Sequence, residues 1–208
     1  MIEILSVYSQ LIIFLIIFQF PLNKIILKNF GYIESNYFNI LIYNIIIQSF
    51  FYLIISFFSF DIKIYFYFQI CIGLLFLVYN FIYYYKNKRS ISFENFALII
   101  IFILLNIILF TSIALNLKLE WDALAHWIQK AQVFYQNGIF SDLKNVSFSY
   151  YPHFGTFLWG FFWKNSFLQL EYLGRLILPF FYLSGLFFSI STLFDNKNYL
   201  YKVFFLIL

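Results

Sequence analysis

The sequence predicts an all-α protein, a polytopic bundle of transmembrane helices with an outward-facing amphipathic helix between spans. Three observations carry that expectation. Hydrophobic residues make up 63% of the 208-residue chain and charged residues 11%, whereas a soluble domain has about 45–50% and about 25%. A water-soluble fold of this size could not hide so much apolar surface, so the bilayer must be part of the solvent. Secondly, the apolar residues come in long runs separated by short polar connections. Thirdly, one long polar connection, 118–152, breaks this pattern and concentrates chemistry-bearing side chains.

Composition also sets aside some classes. The 33 Phe and 18 Tyr, with abundant Ile, Asn and Lys, follow the bias of an AT-rich genome, so aromatic excess alone is not a binding surface. The net charge of +4 is spread along the chain, and no lysine cluster lies on a polar helix or arm, so no nucleic-acid partner is expected. The single Cys71 rules out an intrachain disulfide and a cysteine-based metal site. It reads as core or lipid-facing filler.

Residues 4–20 form the first apolar run, closed by Pro21 and barely long enough to cross. No Lys or Arg precedes it and no small-residue cleavage site follows, so it reads as an uncleaved helix and not a signal peptide. A connection at 22–36 carries Lys24 and Lys28. The second run, 37–60, contains only neutral polar interruptions such as Asn44 and Gln48, and Asp61-Ile62-Lys63 makes a turn. The third, 64–85, ends in Tyr83-Tyr84-Tyr85, suited to headgroup depth. A basic connection at 86–95 leads to the fourth run, 96–117. After Pro152, residues 153–163 are too short to cross alone; they are expected to be re-entrant or to join 166–170 in a tilted helix. Residues 172–194 form a later span with a kink expected at Pro179. A further apolar run opens near Tyr199 and is still open at Leu208, so residues 1–208 read as one membrane domain, the N-terminal part of a longer bundle.

Orientation follows from Lys and Arg in short loops. The connections after the first and third runs carry Lys24 and Lys28, and Lys86, Lys88 and Arg89; the one after the second has only Lys63. The basic loops are therefore assigned to the cytoplasm, and the N-terminus and 118–152 to the outside.

Residues 120–137 have helical spacing. Asp122, His126, Gln129, Lys130 and Val133 share one face; Leu124, Trp127, Ile128, Ala131 and Phe134 form an apolar stripe suited to the membrane surface. Asn137-Gly138 is the helix stop, with Gly138 expected in the left-handed position. An interfacial helix accounts for this pattern by itself, since acids complement a helix start and tryptophans favour interfaces. A functional reading starts from Asp122, a carboxylate near His126 that could take a proton from an acceptor hydroxyl. Lys130, His153 and Arg175 are the candidate cations for a leaving phosphate, and Trp121 and Trp127 could stack on sugar rings. The bland reading of Arg175 is an i, i+4 pair with Glu171, and that of His153 an interfacial polar residue. A divalent cation would need Glu120, Asp122 or Asp142 beside the two histidines.

The run Trp121-Asp122-Ala123-Leu124-Ala125-His126-Trp127-Ile128-Gln129-Lys130-Ala131, then Asn137-Gly138, then Tyr150-Tyr151-Pro152-His153-Phe154-Gly155-Thr156, resembles the GT-C type of multi-span membrane glycosyltransferases. This broad group is related to protein mannosyltransferases and lipid A aminoarabinose transferases. The resemblance spans about residues 118–160. It implies a helical bundle with its active site at the outer face, a polyprenyl-phosphate sugar donor and a glycan, lipid or protein acceptor. Asp122 would be the catalytic base, with Glu120 in reserve and His126 orienting it. Trp121, Trp127, Lys130, Tyr151, His153 and Arg175 would bind substrate. The chain departs from the pattern in two places: the acidic loop follows the fourth run and not the first, and His153 stands where a second proline is usual. The rival expectation, from another class, is a non-catalytic membrane subunit of a glycan-assembly or transport complex.

Overall fold

The computed structural model describes residues 2–23, 26, 36–86 and 93–193. The basic connections that carry Lys24, Lys28, Lys88 and Arg89, and the run from Tyr199, lie outside the described residues. The described residues are helical with no strand. In order they form α1 (Ile2–Ile17), α2 (Tyr37–Phe57), α3 (Ile62–Lys86), α4 (Phe93–Leu115), a π-helical turn (Ala123–Trp127) running into α5 (Ile128–Tyr135), a 3-10 turn (Phe140–Asn145), α6 (Phe154–Lys164), α7 (Glu171–Arg175) and α8 (Ile177–Leu193).

Four segments are long and apolar enough to cross a membrane: Tyr37–Phe57, Ile62–Tyr83, Phe96–Leu115 and Glu171–Leu193. The protein is an all-α polytopic membrane bundle. Its outward faces carry bare apolar side chains such as Ile46, Phe50, Leu75 and Phe81, which water would not tolerate in such number. Cys71 is exposed on α3 among them.

The core is a lattice of aromatic rings. Phe14 of α1 meets Phe110 of α4 at 5.9 Å, Phe162 of α6 at 5.0 Å and Phe180 of α8 at 5.2 Å. Phe38 of α2 touches Phe102 of α4 and Phe187 of α8. Lipid is as apolar as these side chains, so close packing and buried polar groups must hold the helices together. Each edge or stacked ring pair adds about 0.5–1.5 kcal/mol beyond burial.

α1 stops at Ile17, and the chain from Phe18 to Leu22 leaves helical geometry inside the bundle. Free carbonyls at that depth need partners. Asn44 donates to Phe18 O and Leu22 O and accepts from the Leu22 N–H. Gln48 donates to Ile17 O and Phe20 O, and its own oxygen accepts from Gln69 at 2.7 Å. Tyr52 donates to Gln69 Oε1 at 3.0 Å. Asn44 and Gln48 of the second apolar run are thus the backbone clamp for the end of α1.

Residues 153–163 do not join 166–170. Every residue from Thr156 to Phe162 is buried, so α6 is apolar all round because protein encloses it. At about 16 Å it is too short to cross. Its start meets the end of α2, where His153 Nε2 lies 3.3 Å from Ser56 Oγ. At its other end, Lys164 donates to Asn137 Oδ1 at 2.7 Å. α5 closes over one side: a Cβ on Gly160 would sit 2.3 Å from Ala131 O. α7 crosses the other: a Cβ on Gly174 would sit 2.2 Å from Trp159 O.

The last span breaks one turn earlier than Pro179. α7 ends at Arg175, Leu176 is a turn, and α8 restarts at Ile177. Pro179 has no N–H for the Arg175 carbonyl, so the helix yields there and not at the proline itself.

Candidate functional site

The 118–152 connection folds over the bundle end that gathers the C-terminal ends of α2 and α4 and the start of α7. Its helical reading holds from Trp121 to Tyr135, with one change of phase. At Ala123–Trp127 the backbone widens to a π turn, the Ile128 N–H reaching back to Ala123 O. The extra residue rotates the first turn relative to the rest. The face expected to unite Asp122, His126, Gln129 and Lys130 is therefore split: His126 and Lys130 are buried, while Asp122 and Gln129 are exposed. The apolar stripe is not laid on the membrane surface at its C-terminal half; Ala131 and Phe134 are buried against α6, Phe134 edge-on to Phe157 at 5.1 Å. Leu124 remains exposed.

The helix stop also differs in detail. Asn137, not Gly138, takes the left-handed conformation (φ 68°). Gly138 N–H donates to Val133 O at 2.8 Å and Asn137 N–H to Phe134 O at 3.0 Å, the Schellman pattern with asparagine at its turning point. Gly138 is needed for room, since a Cβ there would lie 2.4 Å from Val133 Cγ1.

Lys130 is the centre of the site. It is 0% exposed. Its Nζ donates to Tyr151 O at 3.2 Å and lies 5.6 Å from the ring centroids of both Trp127 and Tyr151. Those two rings stack at 5.9 Å. No carboxylate pairs with Lys130 among the described residues, where Glu171–Arg175 is the sole ion pair. Burial holds the Lys130 ammonium below its ordinary pKa. Desolvating an ammonium costs several kcal/mol. One charge-assisted hydrogen bond (about 1.5–3 kcal/mol) and two cation–π contacts offset only part of it. The bond to Tyr151 O uses one of its three N–H donors.

His126 shares this aromatic enclosure. It is 7% exposed, with its ring 4.0 Å from Phe148, 5.3 Å from Trp121 and 5.9 Å from Tyr151. Its Nδ1 is buried with no hydrogen-bond partner. No bond joins it to Asp122 among the described residues, so the expected orienting contact is not formed. Phe148, stacked on Tyr151 at 5.5 Å, reaches its place through a left-handed backbone (φ 56°), which is costly for a bulky residue. Trp121 stands at the rim, 71% exposed. Glu120 and Asp122 flank it, both exposed.

His153 lies at the start of α6, its ring 4.3 Å from Phe140 and 5.4 Å from Phe57. Ser56 Oγ donates to Leu53 O at 2.6 Å, so toward His153 it accepts, which places the neutral imidazole proton on Nε2. Burial, and then the charge of Lys130, hold the His153 pKa below the ordinary histidine value. Arg175 is not turned toward Lys130. Its guanidinium pairs with Glu171 at 2.7 Å, lies over Trp159 at 5.9 Å and approaches Leu117 O at 3.4 Å. The i, i+4 pair is thus formed.

The acids available for a metal do not converge. No group of three His, Cys, Asp or Glu side chains comes together among the described residues. Asp142 instead accepts the Ile139 N–H at 2.7 Å. Sequence reasoning missed Phe148, whose signal was only the aromatic spacing of 148–151, and Ser56, which sits on a distant helix. No family model, curated protein or solved structure matches the chain. The site is therefore read from its own geometry.

Proposed function

We propose that the chain is a glycosyltransferase of the bacterial cytoplasmic membrane that moves a sugar from a polyprenyl-phosphate carrier to a glycan, lipid or protein acceptor on the extracytoplasmic side. The observation that supports this reading is Lys130: a buried ammonium with no carboxylate partner among the described residues, on the helical segment that carries the exposed Asp122, with the exposed Glu120 just before it. Such a segment supplies both a cation for a departing anion and an exposed carboxylate that can accept a proton.

In this reading Asp122 takes the proton from the acceptor hydroxyl. The acceptor oxygen bonds to the anomeric carbon as the bond from that carbon to the phosphate oxygen breaks. The departing phosphate is held by Lys130, and His126 Nδ1 adds a hydrogen bond. Glu120 is the reserve base, and Trp121 at the rim offers a stacking face for a sugar. Arg175, already paired with Glu171, steadies α7 instead of binding the donor.

The test is transfer from radiolabelled polyprenyl-phosphate sugars by the full-length protein in membranes. Asp122→Asn is expected to lower transfer about 10²–10⁴-fold, the usual worth of a general base. Lys130→Met should abolish transfer while keeping or raising thermal stability, because an apolar chain of similar length removes an uncompensated buried charge. Unchanged transfer in both variants would sink the assignment. A Lys130→Met protein that unfolds would make that amine a structural element.

A further inference from the structure

A second cationic feature lies away from Lys130. A cavity of about 510 Å³ opens between α1, α3 and the turn joining α6 to α7. That volume is within the roughly 300–1,000 Å³ of small-molecule sites. Lys63, Lys164, Ser9 and Asn165 line its polar part, while Ile12 and Phe66 line its apolar part. We propose that this cavity binds the phosphate headgroup of an anionic lipid, with the apolar tail leaving past the exposed Ile12 and Tyr67 into the bilayer.

Four observations converge on it. Lys63 is exposed in the first turn of α3, where the Ile62–Tyr83 span begins, which is headgroup depth. Lys164 reaches the same cavity from the end of α6, steadied by Asn137 Oδ1 at 2.7 Å. Ile12 and Tyr67, both in the lining, are also exposed on the bundle surface, so the cavity opens sideways toward lipid. Finally, the charges sense one another: burial lowers the Lys164 pKa, Lys63 lowers it further and Asp61 raises it. Asp61 also accepts the Lys63 backbone N–H at 2.9 Å. Two lysines against one carboxylate leave a net positive charge, which favours an anionic headgroup over a zwitterionic one. Basic pockets between membrane helices are a recurring solution for phosphate headgroups.

Nothing in this inference depends on sugar transfer, so each reading can fail without the other. The experiment is native mass spectrometry of the full chain released from detergent after incubation with phosphatidylglycerol, a polyprenyl phosphate, phosphatidylcholine or inorganic phosphate. Retention of one or both anionic lipids over phosphatidylcholine is expected. Lys63→Gln should weaken retention roughly fivefold and the double variant with Lys164→Gln more, while Lys144→Gln on the 3-10 turn should leave it unchanged. Preference between the two anionic lipids identifies the source, a resident bilayer lipid or a lipid-linked carrier. Because Lys164 also holds Asn137, the Lys63→Gln variant alone is sufficient to decide. Equal retention of phosphatidylcholine, equal capture of inorganic phosphate, no effect of Lys63→Gln, or an equal effect of Lys144→Gln would each overturn the proposal.

Discussion

Lys130 and His153 each meet burial without a carboxylate, but they respond to acid in different windows. A base whose folded pKa is lowered binds fewer protons folded than unfolded, so stability rises with pH between its folded and unfolded values. For Lys130 the penalty is relieved as pH climbs from its lowered folded value toward the ordinary lysine value. For His153 the penalty is absent above about 6.5 and grows as pH falls below it. The thermal midpoint in detergent is therefore expected to fall between about pH 7.5 and about pH 5.5, with a smaller drop in His153→Gln. An undiminished drop in the variant would place the titrating group elsewhere. At this scale the sequence was partly legible. The Glu171–Arg175 pair follows from i, i+4 spacing, which is local geometry. The separation of Asp122 from His126 does not, because one π turn changes the phase that the spacing assumes. Phe148 was hidden for a related reason, since its role depends on a left-handed backbone that no hydropathy pattern encodes.

α6 shows what apolar content alone leaves open. A short apolar run states that its surface avoids water, but not whether lipid or protein covers it. Here the answer rests on two glycines. Gly160 lets the Ala131 carbonyl of α5 touch α6, and Gly174 lets α7 touch it from the other side. Adding a methyl group at either site meets backbone, which cannot swing away. Gly160→Ala and Gly174→Ala are each expected to destabilise the protein by about 1–3 kcal/mol, the usual cost of overpacking. Gly155→Ala, whose added carbon meets nothing within 4 Å, is expected to be neutral or slightly stabilising in a helix. Denaturation in mixed micelles measures all three; equal losses at Gly155 and Gly160 would show that helix contact is not the cause. Gly160→Ala should also loosen Lys130, because Lys130 precedes the residue that would be pushed. The helix stop was legible as a stop, since Asn137-Gly138 is a strong signal. Crowding against Val133 explains the glycine at 138, while Asn137 takes the left-handed turn.

Across the whole molecule, the spans were the most legible feature. Runs 37–60, 64–85 and 96–117 become α2, α3 and α4 with shifts of a few residues at their ends. Length and hydropathy suffice there because the bilayer imposes both. The side of the membrane on which the site sits belongs to loop charge, and is testable. In a Cys71→Ser background, Asp142→Cys is expected to react with an impermeant thiol reagent added outside whole cells; labelling only after the cytoplasm is opened would invert the topology. α1 behaves differently from the four spans. α1 has 16 residues, about 24 Å of helix against a hydrocarbon layer of about 30 Å. The strand of chain below it is bearable only because Asn44 and Gln48 on α2 receive its carbonyls. During synthesis α1 emerges before α2, and so before either of those side chains exists to meet it. Its final seat in the bilayer therefore waits for α2, whose clamping side chains lie 26 and 31 positions downstream of the carbonyls they meet.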